Sequence, residues 1–319
     1  MPVHKSNFCL VIRYVLLVLS GVFGLLLVAC AASEAPEDHE TTEVASPAAS
    51  SETTNVPQRV DVGGYALLLS CTGTGEPTVI LESGLGADHT TWAQIQPDIA
   101  AITQVCSYDR AGLGQSDEGP TPRTIQQIAI ELDTLLTTAQ VPGPYILVAH
   151  SFGGLHARYY AHTHPDQVAG IVLIDAIHED WWSRALALLP PAEPDENKRL
   201  HDFRQYLTED VYDATTNDEG LDIPNSAEQV RETGSLGAIP LVVLTAGRTV
   251  PVAPGLPPNL EAELVKLAQQ DLQAELATLS SDSTHIMAAE SRHAIHQDAP
   301  DVVLAAIRAV LNANRATPQ

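Results

Sequence analysis

Basic residues are scarce in this chain. Lys and Arg together number 16, against 40 Asp and Glu, in 319 residues, and the formal net charge at pH 7 is −24. Such an acidic surface repels phosphate backbones and offers no basic stripe, which argues against nucleic acid as a partner or substrate. Aromatic residues are also few, at 5%, but hydrophobic residues make up 45% and are spread along the chain. That composition is ordinary for a globular protein that buries a sheet between helices, and nothing in it indicates a repeat protein.

The N-terminus has the pattern of an export signal. Lys5 and Arg13 come first, and an uncharged apolar stretch over residues 14–32 follows. This stretch contains Leu-Val-Ala-Cys, ending at Cys30, which resembles the lipobox of bacterial lipoproteins and predicts a signal peptide over residues 1–29 with lipidation at Cys30. The alternative is an uncleaved transmembrane anchor, since about 19 apolar residues can just span a bilayer. Both alternatives place the rest of the chain outside the cytoplasm, held at a membrane.

Residues 30–57 consist mainly of Glu, Thr, Ser, Ala and Pro, with almost no large apolar side chain. Burial of such a segment cannot offset the entropy lost on ordering it, so we expect a disordered acidic tether. One globular domain over residues 58–319 is the simplest account of the remainder.

Short apolar runs in this domain predict strands. Residues 59–62 and 65–71 flank Gly63 and Gly64, a pair that accepts the positive φ of a hairpin turn. Further runs lack polar alternation, which suits strands buried on both faces of a parallel sheet. They are residues 78–81, 105–108, 145–149, 170–174, 241–245 and 284–288.

Helical patterns separate these runs. Residues 124–139 carry an apolar stripe of helical period and a capping-box signature at Thr124 and Gln127; amphipathic stretches follow at 260–279 and 300–311. The alternation predicts the α/β class, with a mostly parallel eight-stranded sheet flanked by helices.

The rhythm breaks between the sixth and seventh strands. Residues 176–238 are rich in Pro, Asp and Glu, include the pair Trp181 and Trp182, and show no convincing strand. A segment of this length between two core strands is most often an inserted cap over a site. The alternative is a poorly ordered surface excursion.

Ser151 lies in a tight link between the strand at 145–149 and a helix beginning near Phe152. The local sequence Ala-His-Ser-Phe-Gly is a form of GxSxG with Ala149 for the first glycine. Such a strand-turn-helix elbow strains the serine backbone and needs small neighbours, which Gly153 supplies. The alternative is an ordinary helix N-cap serine.

Several motifs in order resemble the α/β-hydrolase superfamily, over about residues 64–311. Val-Ile-Leu-Glu-Ser-Gly-Leu-Gly at 79–86 is similar to its oxyanion loop, Tyr-Asp-Arg-Ala-Gly-Leu-Gly-Gln-Ser-Asp follows at 108–117, and the elbow comes next. The Gly-Leu-Gly piece lacks the glycine spacing of a dinucleotide site, so no cofactor is expected. A serine at position 151 argues against the haloalkane dehalogenase and epoxide hydrolase relatives, which need a carboxylate nucleophile there.

The resemblance assigns roles to single residues. It implies oxyanion donors at the backbone N–H of Phe152 and of Leu85, although this chain has Ser-Gly-Leu where the family often has His-Gly-x. The family's order of serine, acid, histidine makes His293, after the last strand, the general base. His296 would then support the loop. A metal site at His293, His296 and Asp298 is the alternative; no further cluster has ligand spacing, and no metal is expected.

The acid member of the triad is less directly indicated. Most relatives carry it after the seventh strand, but no acid follows that strand here before Glu261. The family's known alternative lies after the sixth strand and implies Asp175, which could hold the imidazole tautomer. Glu179 and Asp180 are the reserves.

The family's strand order places the second strand beside the fourth. This implies that Cys71 and Cys106 lie close together, and an exported location permits a disulfide between them.

The resemblance thus implies a serine hydrolase that cleaves a carboxylic ester through an acyl-enzyme. The substrate would be a small molecule, and the inserted segment and its Trp pair favour an apolar acyl or aryl group on it. Peptidase, thioesterase, carbon-carbon hydrolase and acyltransferase reactions can use the same triad. A non-catalytic binding protein of the same fold is the alternative of another class.

Overall fold

The computed structural model describes residues 57–249 and 251–316. The predicted signal peptide (1–29), the lipidation site Cys30 and the predicted tether up to residue 56 lie outside the described residues. Within them, the strands form one eight-stranded sheet. They are β1 (Gln58–Asp61), β2 (Ala66–Thr72), β3 (Thr78–Glu82), β4 (Val105–Tyr108), β5 (Tyr145–His150), β6 (Val168–Ile174), β7 (Leu241–Ala246) and β8 (Ser283–Ala288).

The sheet has the order β1-β2-β4-β3-β5-β6-β7-β8. Only the β1–β2 and β2–β4 pairs are antiparallel; all later pairs are parallel. The predicted eight-stranded, mostly parallel sheet is therefore confirmed. Parallel strands end at the same edge, so the loops after β3, β5, β6, β7 and β8 converge at the edge where ligands bind in such folds.

Helices cover both faces of the sheet. In the described part of the chain they are α1 (Gln96–Ala100), α2 (Ile125–Thr138), α3 (Gly153–Thr163), α4 (Trp181–Leu188), α5 (Lys198–Thr208), α6 (Ile223–Arg231), α7 (Pro258–Lys266), α8 (Leu272–Leu276), α9 (Ile295–Asp298) and α10 (Pro300–Ala316). A π turn at Leu267–Asp271 joins α7 to α8, and short 3₁₀ turns lie at His89–Trp92, Pro165–Gln167, Asp210–Tyr212 and Ala214–Thr216.

Two buried clusters hold the helices to the sheet. One joins α2 and α3 to one face, and the other joins α1 and α10 to the opposite face. All six residues of β5 are buried, as expected for a strand covered on both sides. Among the described residues, no helix combines the length and the apolar character that crossing a bilayer requires.

The segment 176–238 contributes α4, α5 and α6 but no strand of the sheet. Its apolar side chains form a third buried cluster, which also contains Phe152 and Leu155 at the start of α3. Trp181 and Trp182 are each only 9% exposed and belong to this cluster. The inserted segment therefore packs against the residue that follows Ser151.

The start of α2 differs from the sequence expectation. Thr124 is the N-cap, but its side chain makes no capping hydrogen bond. Instead, the N–H of Ile125 donates to Ser226 Oγ (3.1 Å) and that of Gln126 to Gln229 Oε1 (3.1 Å), both from α6. The predicted capping box does not form: α6 supplies acceptors to the first two N–H groups of α2, and the Gln127 side chain donates to Glu131 Oε1 (3.3 Å).

The opening hairpin is attached to the core through β4. Gly63 and Gly64 both have positive φ, 122° and 102°, and form the predicted turn. In the β2–β4 register Cys71 lies directly opposite Cys106, and the two are joined by a disulfide.

We expect this disulfide to stabilise the domain by closing a loop. With a sequence separation of 35 residues, the Cys71→Ser, Cys106→Ser double variant should lose about 2–4 kcal/mol of unfolding free energy in urea titrations. Mass spectrometry of unreduced, alkylated protein provides the direct check. Two alkylated thiols at these positions would show that the bond is absent.

Candidate active site

Ser151 occupies a sharp bend between β5 and α3. Its φ is +53°, a left-handed conformation that costs a non-glycine residue about 1–3 kcal/mol. The bend brings α3 close to the end of β3: a Cβ on Gly153 would lie 2.7 Å from the carbonyl oxygen of Glu82. Neighbouring Gly154 would place a Cβ 2.5 Å from that of Ala176. Only glycines fit at these positions, so the packing that presents Ser151 depends on them.

The loop after β3 passes close to the serine. A Cβ on Gly84 would lie 3.3 Å from Ser151 Cβ and 3.1 Å from His150 Nδ1. The next residue, Leu85, is 41% exposed. Among the described residues, no acceptor is hydrogen-bonded to the backbone N–H of Leu85 or of Phe152. Two backbone donors beside the elbow are thus available to a ligand.

His293 and Asp175 form a hydrogen-bonded pair. His293 Nδ1 lies 2.7 Å from Asp175 Oδ2, and the other carboxylate oxygen, Oδ1, accepts the N–H of Ala246 at 2.9 Å. Asp175 also has a positive φ, +43°, directly after β6. A carboxylate at Nδ1 favours the tautomer with the proton on that nitrogen and leaves Nε2 as the basic atom. The carboxylate is 10% exposed and the imidazole 51%.

His150 connects the elbow to the His293 loop. Its Nε2 donates to the carbonyl oxygen of His293 at 3.1 Å, and the two ring centroids are 4.6 Å apart. Burial lowers the pKa of His150 well below its usual value, and the nearby His293 and His296 act in the same direction. His150 is therefore neutral at pH 7. Because His150 precedes Ser151, these contacts attach the His293 loop to the elbow.

His296 lies behind this pair. Its ring packs 4.5 Å from Trp92 and 4.7 Å from His150, and its Nε2 is 3.1 Å from Thr91 Oγ1. These contacts fit a supporting role in the loop.

The other acidic candidates are engaged elsewhere. Glu179 makes a bidentate pair with Arg158, and Asp180 pairs with Arg231. Asp298 accepts the N–H and the guanidinium of Arg292. Each carboxylate therefore has an arginine partner.

Three ligand-type side chains, Asp88, His89 and Asp109, have ligand atoms within 4.8 Å of one another in the described part of the chain. Internal hydrogen bonds already occupy them: Asp109 Oδ1 contacts His89 Nδ1 at 2.7 Å, and Asp88 Oδ1 accepts the N–H of Thr90. The geometry is that of a loop-stabilising cluster.

Sequence reasoning missed one pair beside the site. Arg110 and Glu219 form a buried ion pair (2.7 Å) under the loop that contains Leu85. Arg110 lies within the motif at residues 108–117, and the order of that motif among the others does not indicate which residue Arg110 contacts. Glu219 gave no signal, because one acid among the many of an acidic segment has no distinguishing spacing.

A doubly covered parallel sheet with a strained serine after β5 and an acid-histidine pair after β6 and β8 defines an α/β-hydrolase architecture. The alpha/beta hydrolase fold family matches residues 77–283, well over half of the chain. The chain belongs to this family.

Similar proteins and solved structures extend this likeness. The uncharacterized protein YqjL of Bacillus subtilis is 29% identical over 236 residues, covering 74% of this chain and 83% of YqjL. An enol-lactonase from Burkholderia xenovorans superposes with a TM-score of 0.57 at 19% identity, covering 80% of this chain and 100% of that one. A haloalkane dehalogenase loop variant from Bradyrhizobium elkanii superposes with a TM-score of 0.58 at 15% identity. The match covers 82% of this chain and 97% of the dehalogenase. At these identities the structures share the fold alone.

Acid should destabilise the protein partly through His296. Burial first, then the neighbouring His293, lowers the pKa of His296 from 6.5 to about 4. The unfolded chain therefore takes up a proton at His296 near pH 6.5, and the folded chain does so only near pH 4. As a result, the free energy of unfolding decreases as the pH falls from 6.5 to about 4. Between pH 7 and pH 4, we expect the free energy of unfolding of His296→Gln to decrease less than that of the wild type, by up to about 3 kcal/mol. Urea unfolding at the two pH values measures the difference.

The matched control is His162→Gln, an exposed histidine of α3 that makes no ion pair among the described residues, and we expect it to lose stability in acid as the wild type does. An identical loss of stability in wild type and His296→Gln would contradict the assignment.

Proposed function

We propose that this protein is a serine hydrolase that cleaves a carboxylic ester through an acyl-enzyme on Ser151. One observation carries the proposal: His293 Nδ1 is hydrogen-bonded to Asp175 at 2.7 Å, and the backbone carbonyl oxygen of His293 accepts a hydrogen bond from His150, the residue that precedes the strained Ser151. A serine hydroxyl needs such a base, since it is a weak nucleophile at neutral pH. The chain order Ser, Asp, His is also that of the family.

In the proposed reaction, His293 Nε2 takes the proton of Ser151 Oγ while that oxygen attacks the ester carbonyl. The proton then passes to the leaving alkoxide as the carbon-oxygen bond breaks, leaving an acyl-serine and an alcohol. Water, deprotonated by the same imidazole, hydrolyses the acyl-serine to the acid and restores Ser151. Asp175 stabilises the imidazolium in both halves of the cycle.

The tetrahedral intermediates carry negative charge on the former carbonyl oxygen. The unpaired N–H groups of Leu85 and Phe152 are the proposed donors to it. Gly84 supports this assignment, because its close approach to Ser151 Cβ brings the adjoining Leu85 beside the nucleophile.

The proposed substrate is a small molecule with an apolar acyl or aryl group. Phe152 lies 6.4 Å from Trp182 between ring centroids, within the third buried cluster, so the inserted segment lines this side of the elbow with apolar side chains. Because Trp181 and Trp182 are themselves buried, we assign them to the packing of that cluster and not to substrate contact.

The localisation proposal rests on the sequence alone. The apolar N-terminal stretch and the lipobox-like ending at Cys30 support an extracytoplasmic, lipid-anchored protein. The disulfide between Cys71 and Cys106 is compatible with an oxidising compartment.

A fluorophosphonate probe tests the nucleophile. We expect covalent labelling of the wild type at Ser151, and hydrolysis of p-nitrophenyl esters with a preference set by acyl length. Ser151→Ala should abolish labelling and reduce kcat/KM about 10⁴-fold or more. Ser183→Ala, a change on the exposed side of α4, is the matched control and should label normally. Folded wild type that resists labelling would favour a non-catalytic binding protein.

Asp175→Asn tests the acid. The amide can still accept the N–H of Ala246, but its NH₂ group would face His293 Nδ1 and favour the wrong tautomer. We expect kcat to fall about 10³- to 10⁴-fold with a nearly unchanged melting temperature. Asp180→Asn is the control, because that carboxylate pairs with Arg231. A well-folded Asp175→Asn protein with full activity would rule Asp175 out.

A further inference from the structure

Arg110 and Glu219 meet beneath the loop after β3, although 109 positions separate them in the chain. Arg110 follows β4, and Glu219 belongs to the inserted segment 176–238. Two bonds of 2.7 Å join the Nε and one Nη atom of Arg110 to the two carboxylate oxygens. The side chains are 1% and 0% exposed. The two parallel hydrogen bonds of such a pair fix the relative orientation of its side chains. Backbone groups that are hydrogen-bonded to the pair are therefore held in place as well.

The remaining hydrogen bonds of this pair go to the backbone around Leu85. Arg110 donates to the carbonyl oxygens of Ser83 and Gly84, each at 2.7 Å. Glu219 Oε1 accepts the N–H of Gly86 at 2.9 Å. The backbone is therefore anchored on both sides of Leu85, whose own N–H has no acceptor among the described residues.

The charges around the pair keep it ionised. Burial by itself would raise the pKa of Glu219, but the Arg110 charge and its hydrogen bonds, with the Gly86 N–H, hold that pKa below the usual value. Arg110 also lies 3.8 Å from the carboxylate of Glu82, which contacts His156 Nδ1 at 3.2 Å and accepts a hydrogen bond from Tyr108. The single positive charge of Arg110 thus faces two buried carboxylates, and its removal would leave the buried charge of Glu219 without its partner.

We propose that Arg110 and Glu219 are positioning residues that set the direction of the Leu85 N–H, so that the inserted segment controls the geometry of the oxyanion loop. This inference rests on the proposed function of that loop. Neither side chain touches the reacting atoms. Their effect is exerted through the backbone of residues 83–86.

Misplaced oxyanion donors weaken transition-state binding more than ground-state binding. Loss of the Glu219 anchor should therefore lower kcat and leave KM nearly unchanged. Because a complete donor is worth about 10²- to 10³-fold in kcat, a loosened one should cost on the order of 10- to 100-fold.

The test compares Glu219→Gln with Glu179→Gln. Glu179 also makes a buried, bidentate pair with an arginine, Arg158, but in the described part of the chain that pair makes no hydrogen bond to residues 83–86. Both variants of the full chain are assayed for kcat and KM on a p-nitrophenyl ester, and for inhibition by a phenylboronic acid, whose adduct on serine mimics the tetrahedral intermediate. Hydrogen-deuterium exchange of the peptide containing Leu85 and Gly86 reports on the loop without any turnover.

We expect Glu219→Gln to lower kcat about 10- to 100-fold with KM within about 3-fold, and to weaken boronic acid inhibition by a similar factor. Exchange at Gly86, whose N–H donates to Glu219, should increase, and Glu179→Gln should change none of these quantities by more than about 3-fold. If Glu219→Gln does not fold, Arg110→Lys replaces it, since the ammonium can pair with Glu219 but cannot hold both carbonyl oxygens.

An unchanged kcat in the folded variant, or an equal loss in Glu179→Gln, would overturn the inference. Unchanged exchange at Gly86 would overturn it as well. Wild type that does not label with fluorophosphonate would instead overturn the proposed hydrolase function, and the exchange measurement would still decide whether Glu219 orders the loop.

Discussion

The arrangement of the candidate site depends on the two hydrogen bonds of the Asp175 carboxylate. One oxygen accepts the N–H of Ala246 at the end of β7, and the other holds His293 from the loop after β8. Asp175 itself follows β6 in a left-handed conformation. One side chain thus ties three neighbouring strand ends together at the carboxyl edge of the sheet. The unfavourable backbone of Asp175 persists because the surrounding strands over-determine its position.

Close packing around Ser151 is the second constraint. The serine is strained in the same way, and Gly84 and Gly153 allow the loop after β3 and helix α3 to approach it closely. The local strain is small beside the burial of β5, where each buried Leu, Ile or Val contributes about 1.5–3 kcal/mol. The fold can therefore maintain a bend that the serine alone would not adopt.

The inserted segment is part of the site and not merely a cover for it. Through Phe152 it shares a buried cluster with the elbow, and through Glu219 it is hydrogen-bonded to the backbone of the loop after β3. In the proposed hydrolase, sequence changes in residues 176–238 can alter both the space for the acyl group and the alignment of a backbone donor. The relatives that share this fold include proteins named for different reactions, so residues around the common sheet must determine the chemistry.

The sheet could be predicted from the sequence, and so could the loops in which Ser151, Asp175 and His293 lie. Strands such as β5 are buried on both faces and therefore appear as unbroken apolar runs, and the Gly-Gly after Ser151 marks a bend that needs room. These signals are local, so they can be read from neighbouring positions.

Only the tertiary structure decided the contacts between distant segments. Thr124 and Gln127 predicted a capping box, but α6 supplies the acceptors at the start of α2. Glu219 looked like one acid in an acidic segment until the fold placed it against Arg110 and Gly86. The physical reason is the same in both cases: a hydrogen-bond partner from another part of the chain leaves no periodic or neighbouring pattern in the sequence.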